Sequence, residues 1–195
     1  KTAFEVKVEE EKKLVAESTA PEKDEEIIST ANSELTLGAD ANYYAAAGGI
    51  AIDEDVTGKT VTIDGAKIGK EGGEKSTTFT DGALFGKPGE KVDVTFDNGS
   101  VYGAYTQSGN ASGSTVNIKD GTVNGNLYAA YSEKGSASDG TVNWEGGEIK
   151  GALYGGYANG AENKAGSTLN LYGKNKEVQY VGGFQNYNFN LPTDF

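Results

Sequence analysis

The chain has 195 residues and a net charge of −12, with 29 Gly, 3 Pro and no Cys, His, Met or Arg, so that all 17 positive charges are Lys. Those absences exclude disulfides, zinc–thiolate and iron–sulfur sites, cysteine nucleophiles and imidazole acid–base or metal chemistry. The acidic balance argues against nucleic acid and against an anionic membrane surface, both of which draw on Lys and Arg clusters.

In chain order, residues 1–34 form an acidic segment with five Lys and ten acids. Phe4, Val6 and Val8 alternate with charged residues and predict one short strand. Glu9 to Glu17, with Leu14 and Val15 amid charge, predicts a short amphipathic helix that Pro21 ends. The segment reads either as a solvated spacer or as a cap over the first repeat, which would otherwise expose strand edges.

From residue 35 to 195 the texture is β-rich and repetitive. DGAKIGK at Asp64, DGALFGK at Asp81 and NGSVYGA at Asn98 recur at a constant interval, each preceded by a strand: Thr60–Ile63, Thr77–Thr80 and Val92–Phe96. This spacing predicts coils of about 17 residues up to about residue 104. Beyond it, VYGAY at Val101, LYAAY at Leu127, LYGGY at Leu153 and YVGGF at Tyr180 follow one another at a nearly constant and longer interval. A second element keeps the same phase at Thr115, Thr141 and Thr168, so one extra residue falls between Tyr157 and Thr168, as a surface loop allows. Two elements holding one period predict a β-solenoid of about 26-residue coils; a meander of antiparallel hairpins, the alternative that Asp-Gly suggests, does not require it. The two-residue strand period points Val116 with Ile118, Val142 with Trp144, and Leu169 with Leu171 inward as stacked apolar ladders.

The aromatic elements supply the candidate site. Alternation beside the apolar Val101, Leu127 and Leu153 puts Tyr105, Tyr131, Tyr157 and Phe184 in an inner row and Tyr102, Tyr128 and Tyr154 in an outer one. The outer row is either a binding platform for a sugar or a protein, or a stack that fixes register. Asp64, Asp81 and Asp120 precede Gly and read as turn formers. No catalytic residue, metal site or cofactor is expected, although carbohydrate-active chemistry stays as an alternative because solenoids host it.

NIKDGTVNGNLYAAYSEKG, EGGEIKGALYGGYANG and the terminal VGGFQNYNFNLPTDF resemble the passenger domains of type V autotransporters of Gram-negative bacteria, over about Gly113 to Phe195. The resemblance implies an all-β, right-handed parallel β-helix, to which residues 1–34 add the acidic extension or cap read above. It also implies export to the cell surface through a C-terminal outer-membrane barrel that this sequence lacks, so the chain is expected to be the trimmed N-terminal part of a longer protein. The passenger itself would not be inserted in the membrane. The role it implies is adhesion or an extended stalk, with a host or bacterial surface protein or glycan as partner; apart from the resemblance, self-association through the final coil is left open, and a purely structural spacer is the remaining alternative.

Overall fold

The computed structural model describes residues 4–8, 11–17, 24–159, 165–174 and 176–192. The protein is all-β, with one short 3-10 helix among the described residues, at Gly82–Phe85. Most of the chain builds parallel sheets, an arrangement compatible with a β-solenoid.

Three sheets recur in fixed order along the chain. A tyrosine-bearing sheet stacks Ala45–Ala47, Val101–Tyr102, Leu127–Ser132, Ala152–Ala158 and Tyr180–Gly182 in parallel. A narrow strip pairs Val56–Thr57, Ala111–Ser112 and Ala137–Ser138. An asparagine-bearing sheet stacks Glu34–Gly38, Thr60–Ile68, Thr115–Val123, Thr141–Trp144, Thr168–Tyr172 and Asn186–Leu191. In this third sheet Leu35, Val61, Val116, Val142 and Leu169 fall in one column, and Leu37, Ile63, Ile118 and Trp144 in the next. All nine are buried in one core with Val101, Leu127 and Leu153 from the tyrosine sheet. Alternation thus gives each layer an apolar inner side, and stacking removes it from water.

The registers correct the expected 17-residue coils. Glu34 pairs with Thr60, Thr60 with Thr115 and Thr115 with Thr141, so the middle layer is more than twice as long as the layers on either side. The strands expected to begin successive coils, at Thr77 and Val92, instead form an antiparallel hairpin, Ser76–Asp81 with Lys91–Asp97, outside the parallel sheets. Its connection is opened by Asp81, whose side chain accepts from Ala83 N (3.0 Å) to cap the 3-10 turn, and is closed by Gly86 in the left-handed region. The extra length of that layer is the inserted hairpin with its root. Similar Thr-rich, Asp-Gly-terminated strands serve both roles, which is why spacing alone misread them.

Two further expectations are corrected. Glu11–Glu17 is a strand, not a helix; it pairs antiparallel with Phe4–Val8 on one side and with Asp24–Thr30 on the other. A helix of that length gains little alone, while the strand satisfies its backbone groups on both edges. Asp24–Thr30 in turn pairs parallel with Ala45–Ala47, burying Ile27 and Ile28, so the acidic segment continues the tyrosine sheet. At the other end Leu153 pairs with Val181 and not with Tyr180, so the last layer is shifted by one position from the expected register. Phe184 consequently turns into the core and does not join Tyr157. Gly155 makes room for it, since a Cβ there would meet the Phe184 ring at 2.6 Å. The extra residue expected after Tyr157 lies between Ala158, which still pairs in step with Ser132, and Thr168, which pairs with Thr141 one position later than that step would give.

Candidate functional site

Within the tyrosine sheet the chain bends at Gly103–Ala104, so both aromatics of VYGAY emerge on the outer side instead of alternating across the sheet. In-register pairing then lays Tyr102, Tyr128 and Tyr154 in one stack, with centroids 5.0 and 5.1 Å apart and ring planes within 6°. Tyr105, Tyr131 and Tyr157 form a second stack at 5.0 and 5.2 Å. The two stacks meet edge to face, as in Tyr128–Tyr131 at 5.1 Å and 77°. Each contact of this kind contributes roughly 0.5–1.5 kcal/mol beyond burial. The double ladder therefore holds layer register, and each ring face inside it is occupied by its neighbour.

This geometry overturns the expected inner and outer rows. Tyr105, Tyr131 and Tyr157 lie with the other row in an apolar cluster separate from the one that holds Val101, Leu127 and Leu153, because the two-residue alternation breaks between the two aromatics of each motif. Nor does the Tyr102 row face solvent: Tyr102 is 3 % exposed, Tyr105 2 % and Tyr128 7 %. The cover is the inserted hairpin. In the preceding layer the positions of Tyr102 and Tyr105 hold the smaller Ala47 and Ile50, leaving room for Phe79, Val94 and Phe96 to pack down. Phe96 stands 5.9 Å from Tyr102 and 5.0 Å from Tyr105. Exposure rises away from the hairpin, through half-buried Tyr131, Tyr154 and Tyr157 to Tyr180, which is 56 % exposed. Of the expected row, only Tyr154 is partly accessible.

Between the hairpin and the ladder lies a cleft of about 480 Å³, lined by Tyr102, Tyr105, Tyr128 and Tyr131 with Asp93, Asp97, Glu133, Gln107, Thr95 and Lys134. Tyr131 donates its phenol proton to Glu133 Oε2, while Asn159 Nδ2 donates to the other carboxylate oxygen (2.9 Å). Asn126 Nδ2 donates to the Tyr128 hydroxyl (3.1 Å). Burial pushes the phenols up: Tyr128 to about 12, Tyr102 and Tyr105 well above their ordinary value, and Tyr131 too, its bond to Glu133 adding to burial. Neutral phenols of this kind donate hydrogen bonds; they do not act as bases near pH 7. The hairpin is tied down at its tip by Lys87, whose Nζ is 2.7 Å from Asp53 Oδ2; that bond first of all holds the Asp53 carboxyl below the usual range.

Sequence reading missed a second concavity, of about 890 Å³, at the root of the hairpin. Lys67, Lys70, Lys75 and Lys150 line it with Asn42, Asn98, Asn124 and Thr122, and Glu71 is its one carboxylate. Asn98 fixes the root by accepting from Lys70 N (2.8 Å) and donating to Lys70 O (2.9 Å). Lys67, Lys70 and Lys75 are close in sequence, and Lys150 joins them because parallel pairing sets Lys67 beside Thr122 and Lys150 N donates to Val123 O. The hairpin's own signal was available: Val92, Val94 and Phe96 alternate with Asp93, Thr95 and Asp97, giving the apolar face that now covers the tyrosines. Among the described residues no group of three or more Asp and Glu is placed to hold a metal ion. Comparison with protein-family models, curated proteins and solved structures finds no match for this chain.

Proposed function

We propose that the chain is a segment of a right-handed β-solenoid from an autotransporter-type surface protein, and that it serves as an adhesive or stalk-like contact surface. The observation that carries this reading is the parallel pairing of Val101 with Leu127 and of Leu127 with Leu153 at one constant offset, bearing a continuous tyrosine ladder on the outside. Parallel crossover connections are almost always right-handed, which supports the handedness. Such a rod gains stability from neighbour on neighbour, needs no Cys and leaves long flanks for contact. The accessible part of the ladder, Tyr154, Tyr157 and Tyr180, offers ring edges and hydroxyls at layer spacing to a host or bacterial surface protein or glycan. Binding of the purified chain to host cells and to a glycan array tests the reading; clean negatives in both would favour a purely structural spacer.

The lysine-lined concavity favours a second reading, a carbohydrate-binding solenoid. Four lysines converging in a chain of net charge −12 fit a carboxylated or sulfated glycan. A single lining carboxylate, where glycoside hydrolysis uses a pair, favours binding over cleavage. Retention of acidic glycans on the array, lost in Lys67→Glu/Lys150→Glu, would support it; binding restricted to neutral glycans would count against it.

A further inference from the structure

The inserted hairpin leaves a strand edge free in the middle of the chain. Lys91–Asp97 pairs with Ser76–Asp81 on one side and, among the described residues, with no strand on the other. Asn98 N donates to Lys75 O (2.9 Å), so the two-residue alternation turns the peptide groups of Phe96 and Val94 towards the partner strand and those of Asp97, Thr95 and Asp93 towards the free edge. That edge looks into the cleft over the tyrosine ladder, whose lining takes Asp93, Thr95 and Asp97 from this strand but not Val94 or Phe96. A side chain already uses it: Gln107 Nε2 donates to Asp93 O, in the place of a peptide N–H from an added strand.

The cleft has the shape and the charge for such a strand. Asp93 to Asp97 spans roughly 13 Å of extended chain at the usual strand rise. An added strand extends the face formed by Val94 and Phe96, so alternate side chains come down on the cleft's Tyr128 and Tyr131. The others stand beside Asp93 and Asp97, which are both exposed. Asp93, Asp97 and Glu133 give the lining three carboxylates against one lysine, Lys134. Tyr131 and Asn159 hold Glu133 in place by donating to its two oxygens. Opposite charges on neighbouring strands stabilise the pair and like charges oppose it, which selects a basic occupant. A second copy of this chain, at net charge −12, fits poorly.

We propose that this edge takes a third strand from a partner protein, an extended segment in which basic and apolar residues alternate. Its main chain pairs with Asp93, Thr95 and Asp97, displacing Gln107 from Asp93 O. Its apolar side chains cover Tyr128 and Tyr131, and its Lys or Arg side chains meet Asp93 and Asp97. Main-chain pairing supplies affinity in strand addition, and the alternate side chains supply selectivity. The site needs only the hairpin and the ladder beneath it, so it stands apart from any cell or glycan bound at the outer flank.

Fluorescence anisotropy of a labelled Lys-Val-Lys-Val-Lys-Val-Lys peptide with the full chain tests this. The wild type is expected to bind it saturably, and at least about tenfold more tightly than a peptide of the same composition with its Lys and Val in separate blocks. Thr95→Pro removes an edge N–H without touching the pairing with Ser76–Asp81, while Asp93→Lys/Asp97→Lys reverses the charge. Each variant is expected to lose about tenfold or more in affinity, with circular dichroism and cooperative unfolding retained. The proposal is overturned by a wild type that shows no saturable binding, by equal binding of the two peptides, or by unchanged binding in either variant that folds. Self-association of the wild-type chain that Thr95→Pro abolishes would also overturn it, by giving the edge to a second copy.

Discussion

Asp139 turns the backbone between the narrow strip and the asparagine sheet with a φ of 54°, where the adjoining layers use Gly113 at 66° and Gly166 at 75°. Asp tolerates this left-handed region better than most residues but still at some cost, so Asp139→Gly is expected to stabilise the protein by about 0.5–1 kcal/mol in urea unfolding. The asparagine ladder sets the opposite expectation. Asn143 both donates to Asn117 and accepts from Asn170, and Asn143→Ala is expected to cost about 1–3 kcal/mol by the same assay. The buried phenols fix the alkaline limit. A tyrosine whose folded pKa is raised holds its proton more tightly when folded, so its contribution is fully present below about pH 10, the unfolded value, and is lost as pH rises through the folded one, about 12 for Tyr128. Unfolding free energy should therefore be flat in this respect up to about pH 10 and fall above it, while absorbance at alkaline pH shows most ladder tyrosines titrating late or only on unfolding.

The inserted hairpin is the element that decides how much of the ladder is accessible. Its root is closed: Gly99 Cα would stand 3.2 Å from a Cβ on Gly69, and Gly125 N donates to Gly99 O (3.0 Å). Removing residues 70–98 and joining Gly69 directly to Gly99 reproduces the Asn124–Gly125 step of the following layer. The shortened chain is expected to keep its β circular dichroism and cooperative unfolding, while Tyr102 and Tyr105 become accessible to quenchers; loss of the fold on deletion would show the hairpin to be part of the core. Sequence periodicity made the inward columns of the asparagine sheet legible, from Val116 and Ile118 to Val142 and Trp144, because strand alternation and apolar burial are local. It could not separate an inserted hairpin from a coil, since a Thr-rich strand ending in Asp-Gly serves either and only the pairing partner distinguishes them. Glu9 to Glu17 read as a helix because Leu14 and Val15 stand side by side amid its charges, which leaves no strand alternation to read, although the strands it pairs with, Phe4–Val8 and Asp24–Thr30, are its neighbours in sequence.

Over the whole molecule, the site was legible as a set of residues but not as a surface. The repeat located Tyr102, Tyr128 and Tyr154 and their stacking partners, because identical offsets put identical residues above one another. Their burial was not legible, because it depends on Phe96 descending from a hairpin onto Ala47 and Ile50, a tertiary contact with no local signature. The accessible flank consequently shifts towards Tyr154, Tyr157 and Tyr180, away from the hairpin. Binding of the purified chain to host cells and arrayed glycans, compared with a Tyr154→Ser/Tyr157→Ser variant whose circular dichroism and cooperative unfolding are retained, tests the contact-surface reading most directly. The account predicts that the wild type binds and that the variant loses at least about tenfold in affinity, the scale of one or two aromatic contacts. Equal binding by both proteins would contradict it.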